Sequence, residues 1–94
     1  MAIVVSNTMS GVTQEIYDAV TEKVMSGNKL PEGSKVHIAG PVDEGWRVIT
    51  VWDSQEAFDK FRNETLIPAL REAAGDQAVA PAIKTDPVYR LITA

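Results

Sequence analysis

A chain of 94 residues, 45% hydrophobic and 23% charged, has material for one hydrophobic core and is far from the composition of disordered chains, so a single domain spanning 1–94 is expected. Nine Lys and Arg against 13 Asp and Glu give a net charge of -4, which argues against nucleic acid or an anionic membrane surface as a partner. The absence of cysteine excludes disulfides, thiolate nucleophiles and cysteine-based metal sites together.

Residues 2–7, "AIVVSN", read as a first strand ended by the turn-prone "SNTMSG". Val12, Ile16, Ala19, Val20 and Val24 then recur at helical spacing, with Thr13 as N-cap and Gly27 as the stop. Residues 34–40 and 46–53 read as two strands joined by "PVDEG", a connection short enough to make them antiparallel neighbours. In "DSQE", Asp53 stands three residues before Glu56, as a capping box requires, and opens a second helix. That helix carries Ala57, Phe58, Phe61 and Leu70 on one side and runs to Ala74, with Gly75 closing it. Pro68 lies inside this pattern and should kink or split it. In the tail, Pro81 and Pro87 flank "AIKTD", a loop or edge strand, and "VYRLIT" reads as the last strand. The N-terminus has no basic region followed by a long apolar one, and nowhere do 18 apolar residues run together, so a cytoplasmic protein is expected.

The order is βαββαβ, an α+β ferredoxin-like arrangement in which one antiparallel sheet carries both helices on one face. Yet "RVITVW" sets Val48 and Trp52 on one side of its strand and Ile49 and Val51 on the other. Each central apolar side chain left on an open sheet face forgoes roughly 1.5 to 3 kcal/mol of burial. A second copy of the chain, sheet against sheet, is the expected cover; the alternative is the C-terminal segment folding across.

His37 is the sole histidine, and its face depends on the hairpin register. Pairing Pro41 with Trp46 sets His37 opposite Thr50, so that Trp46, Val48, Thr50 and Trp52 point the same way as the imidazole; a slip of one residue would move it to the face of Arg47, Ile49 and Val51. The first register opposes Ala39 to Val48 and leaves Asp43 and Glu44 at the turn tip. Imidazole titrates nearest neutrality and can act as base or hydrogen-bond donor, while indoles line sites for flat ligands. Tyr17 can point its hydroxyl between helices and sheet, and Phe61 can border the same cleft. The alternative is structural: a hydrogen-bonded semi-buried histidine, tryptophans packed in core or interface, and Tyr17 reaching the surface. Arg47 and Asp53 suit a surface or interface ion pair at strand ends.

The chain has no glycine-rich phosphate loop, no second histidine for zinc, and no basis for a Ser-His-Asp triad. An enzyme built on it is expected to work without metal or cofactor.

The element order, "HIAGP", "GWRVITVWDS", "EAFDKF" and "LIPAL" together resemble the dimeric α/β-barrel superfamily over almost the whole chain. The match is closest to small bacterial proteins related to antibiotic biosynthesis monooxygenase-like domains. That resemblance implies a homodimer whose sheets close into a barrel, each subunit keeping a cleft between sheet and helices. Members include cofactor-independent monooxygenases, haem degraders, lactone isomerases, polyketide cyclases and stress-responsive proteins, so the fold leaves the reaction open. The haem ligand of the degraders is not carried over, because His37 lies on a strand. Oxygenases of the group use an asparagine and tryptophans, and only the tryptophans have counterparts legible here. The expected function is binding and conversion of a small apolar or aromatic metabolite, with His37 as base or hydrogen-bond donor, Thr50 and Tyr17 orienting it, and Trp46, Trp52, Val48 and Phe61 as walls. The competing expectation is a ligand-binding or stress-response module without catalysis.

Overall fold

The computed structural model describes residues 1–25, 29–75 and 82–93. Strand β1 (Ile3–Ser10) is followed by helix α1 (Gln14–Val24), strands β2 (Ser34–Val42) and β3 (Gly45–Trp52), helices α2 (Gln55–Phe61) and α3 (Ile67–Ala74), and strand β4 (Ala82–Pro87). All strand pairs are antiparallel, in the order β2-β3-β1-β4. This is the ferredoxin-like α+β arrangement that the element order predicts.

β1 extends to Ser10, three residues beyond the expected end. The run from Ser6 to Ser10 has turn-prone composition but alternates cleanly, with Asn7 and Met9 buried and Ser10 exposed. Pairing to β3 along its whole length overrides local turn preference. Thr13 caps α1 as expected, its Oγ1 accepting the Ile16 N–H at 3.3 Å; Gly27, the expected stop, lies outside the described residues.

The β2–β3 hairpin takes the register that opposes His37 to Thr50, Ala39 to Val48 and Pro41 to Trp46. An irregularity between Ser34 and Val36 leaves Ser34 opposite Trp52. Its turn demands a glycine: a Cβ on Gly45 would stand 2.3 Å from the carbonyl oxygen of Met9.

The second helix departs from the sequence reading in two places. Its N-cap is Ser54, whose Oγ accepts the Ala57 N–H at 3.1 Å, rather than Asp53. Asp53 is committed elsewhere, its N–H donating to the Gly33 carbonyl and its carboxylate lying 3.5 Å from Lys35 Nζ; its ion partner is therefore Lys35 and not Arg47. Pro68 does not split the helix. A π-helical turn, Arg62–Leu66, joins α2 to α3, with the Ile67 N–H reaching back to the Arg62 carbonyl. One extra residue in the turn before Pro68 eases the ring past the carbonyl that it would meet in a regular helix. Gly75, at φ +65°, ends α3 as expected.

The last strand is Ala82–Pro87 and not "VYRLIT". Pro87 pairs with Ile3, the first residue of β1, and only Val88 adds a further bond, to the Ala2 carbonyl. Beyond that point β1 offers no chain to pair with, and Tyr89, Leu91 and Ile92 are exposed. Pro87 suits an edge strand because it has no N–H to leave unpaired. Pro81 lies outside the described residues.

The helix-covered face holds two apolar clusters. Met9, Val12, Val20, Val48, Ala69 and Leu70 form one; Ile3, Val5, Trp52 and Phe58 form the other. Between them, Asn7 on β1 and Thr50 on β3 are the buried polar residues among those described. The opposite face carries Val36, Ile38, Ile49 and Val51. Val51 is already buried within the single chain and Ile49 partly so, while Ile38 remains 58% exposed.

Candidate functional site

Where the two clusters meet lies a partly open cavity of about 60 Å³. Strand alternation delivers its floor: Val5, Asn7 and Met9 from β1, Val48, Thr50 and Trp52 from β3, and His37 with Ser34 from β2. Tyr17 and Val20 of α1 and Phe58, Phe61, Leu66 and Leu70 of the second helical segment make the roof.

Tyr17 and His37, expected near one another only if Tyr17 turned inward, are hydrogen-bonded, with the hydroxyl 2.6 Å from Nε2. Burial without a compensating charge lowers the His37 pKa from its ordinary 6.5, so the ring is neutral at pH 7 and keeps one lone pair. In one tautomer Tyr17 donates to Nε2; in the other it accepts from it. Thr50 Oγ1 accepts the Trp52 indole N–H at 2.8 Å, which fixes the indole and leaves the threonine's own O–H free to donate. Trp52, only 1% exposed, meets Phe58 edge-on at 5.7 Å and Phe61 at 5.0 Å, so the wall is three aromatic rings deep.

Six of the seven singled-out residues therefore converge: His37, Thr50, Tyr17, Trp52, Val48 and Phe61 all line the cavity. Trp46 does not. It stacks on Tyr17 with ring centroids 5.3 Å apart, and its indole N–H is buried without a partner among the described residues. Its place is behind the Tyr17–His37 pair rather than at the wall.

Asn7 is the residue that sequence reasoning missed. It is 6% exposed, and among the described residues neither its Oδ1 nor the Ser34 Oγ on the cavity wall has a hydrogen-bond partner. An orphaned buried acceptor costs about 1–3 kcal/mol. The legible signal was the inward parity shared by Val5, Asn7 and Met9, hidden by the turn-like composition around it. A buried asparagine thus stands in the cavity with Trp52, where the sequence reading placed no polar residue from β1.

Among the described residues no group of three or more His, Asp or Glu side chains converges as metal ligands would, and no helix is long and apolar enough to cross a membrane.

This sheet order with helices on one face is a ferredoxin-like α+β fold. In particular, the chain superposes on the crystal structure of a Deinococcus radiodurans protein provisionally described as an antibiotic biosynthesis monooxygenase, with a TM-score of 0.64 and 14% identity over 100% of this chain and 98% of that one. At that identity the likeness concerns the fold. No family model and no curated protein matches the chain.

Proposed function

We propose that this chain binds a small apolar or aromatic metabolite in the cavity between sheet and helices and transforms it without metal or cofactor. The observation that supports this best is a neutral, hydrogen-bonded Tyr17–His37 pair facing the same apolar cavity as a free Thr50 hydroxyl and the unpartnered Asn7 amide oxygen. Oxygenation, isomerisation and cyclisation of such a metabolite can each start with removal of a proton from a phenol or from carbon beside a carbonyl. The His37 lone pair, directly or through the Tyr17 hydroxyl, takes that proton. The Thr50 O–H donates to the oxygen on which negative charge then develops, and low surrounding polarity strengthens that bond. Trp52, Phe58 and Phe61 hold the flat body of the ligand and keep water away.

The working unit is a homodimer joined through the open sheet face, where Ile38 and Ile49 sit beside Val36 and Val51. A chain without cysteine suits a reducing compartment, and the cytoplasm is the location proposed.

Thermal-shift screening against flavin, haem, aromatic ketones, phenols and lactones identifies the ligand class by what raises the melting temperature. With a turned-over ligand in hand, His37→Ala lowers kcat/KM by roughly 10² to 10⁴ fold if proton transfer limits the reaction. A second reading, a non-catalytic binding module, is favoured by the cavity's small volume. It predicts that His37→Ala changes affinity or stability and that no ligand is consumed.

A further inference from the structure

A cavity of about 60 Å³ is too small for the ligand class just proposed. An apolar cavity that takes up a single benzene ring measures about 150 Å³. A ligand whose polar head reaches Thr50 must therefore continue into adjoining space. That space is an open groove of about 480 Å³, bordered by Pro31, Glu32 and Gly33 on one side and by α2 and the π-helical turn on the other. Val24, Pro31 and Phe61 line both the groove and the cavity, so one layer of side chains divides them. Phe61 is the last residue of α2, only partly buried, and its ring already leans on Trp52. The π-helical turn begins at the next residue, and it places Glu64 and Thr65 in the groove and Leu66 in the cavity. Such turns re-aim side chains where a regular helix could not.

We infer that cavity and groove are two halves of one ligand site, with Phe61 at the passage between them as the residue that sets which ligands enter. The inference rests on the reading of the cavity as a ligand site and adds a substrate class: an elongated molecule of more than one ring. Its compact hydroxyl- or carbonyl-bearing head lies against Thr50 and Asn7, its aromatic body passes Phe61, and its outer end lies in the groove. Together the two spaces reach the range of about 300–1,000 Å³ typical of small-molecule sites. Glu32, Asp53 and Glu64 outnumber Lys60 along the groove, and Lys35 beside Asp53 offsets one of them. The outer end is therefore neutral or cationic, since an anionic one meets excess negative charge.

The test is a titration of isotope-labelled full-length protein, followed by nuclear magnetic resonance, with 4-phenylphenol and with its analogue bearing a carboxylate on the far ring. The Trp52 indole N–H, assigned by its proximity to Phe58 and Phe61, reports the cavity; the backbone amides of Lys60, Glu64 and Thr65 report the groove. With 4-phenylphenol both sets should move with one shared Kd. The carboxylate analogue should bind about threefold or more weakly, a gap that narrows at about 0.5 M salt. Phe61→Trp, which narrows the passage, should weaken 4-phenylphenol about tenfold or more. Movement of the Trp52 signal with silent groove amides overturns the two-part site and leaves the cavity reading standing. Movement of the groove amides alone, or of neither set, overturns the cavity reading and this inference with it. The wild-type titration decides among these outcomes even where Phe61→Trp fails to fold.

Discussion

The two faces of the sheet invert the usual expectation. The covered face, where apolar residues belong, holds Asn7, Thr50 and His37 between its clusters; the uncovered face carries Ile38, Ile49, Val36 and Val51. Polar groups placed inside cost stability unless they are paired, and apolar groups placed outside forgo it unless they are covered. A chain of this size keeps neither without a return. Under the proposed function the covered face gives up cohesion for a ligand site, and under the proposed dimer the open face meets a second copy of the chain.

The largest effect separates the covered face's packing from its chemistry. Trp52 is the biggest fully buried side chain, and Trp52→Ala should cost about 3–5 kcal/mol, measured by urea unfolding. That loss rivals the whole stability of a small domain, so the variant should be largely unfolded at 37 °C. On the other face, Ile38→Asp places a charge where the single chain already exposes the residue. The fold should survive with an unchanged circular dichroism spectrum, while the dimer dissociation constant rises about a hundredfold or more in sedimentation equilibrium. A wild-type chain that sediments as a monomer at micromolar concentration removes the dimer proposal altogether.

A smaller effect has the opposite sign. Asn7→Leu replaces an orphaned amide with an apolar side chain of similar size, so it should raise stability by about 1 kcal/mol and abolish ligand-induced thermal shifts. A variant that loses stability instead would show that Asn7 is there for the fold and not for a ligand.

The sequence made most of this architecture readable because the deciding signals are local or periodic. The Thr13 cap, the Gly75 stop and the two-residue turn at Asp43 and Glu44 are set by neighbouring residues, and the turn in turn decides that His37 faces Thr50. The misreadings are places where distant pairing decides. Ser6 to Ser10 is turn-like until β3 and β4 flank it, and "VYRLIT" is strand-like but has no neighbour to pair with once β1 has ended. Ser54 displaces Asp53 as cap because Gly33 and Lys35, some twenty residues earlier, engage Asp53 first. Asn7 was lost with the end of β1, and Trp46 could be assigned to the correct face but not to its distance from the cavity. Parity is written in sequence; depth is not.

The smallest effect is the pH dependence of the covered face. Folding removes His37 from water and lowers its pKa, so at pH values between the folded value and 6.5 the unfolded chain binds more protons than the folded one. Stability is therefore unaffected by this group above pH 6.5, declines as the pH falls from 6.5 through the lowered folded value, and levels off below it. His37→Gln keeps a group able to hydrogen-bond Tyr17 and removes the titration. Melting temperatures recorded from pH 8 to pH 5 should fall more steeply for wild type than for His37→Gln, and the open-face variant Ile38→Asp should keep the wild-type contribution of this histidine. Under the proposed function the same protonation removes the lone pair that takes the substrate's proton, so kcat/KM should decline through that lowered value. Parallel curves for wild type and His37→Gln would mean that the imidazole titrates as it does in water, and the case for a desolvated base beside Tyr17 would fail.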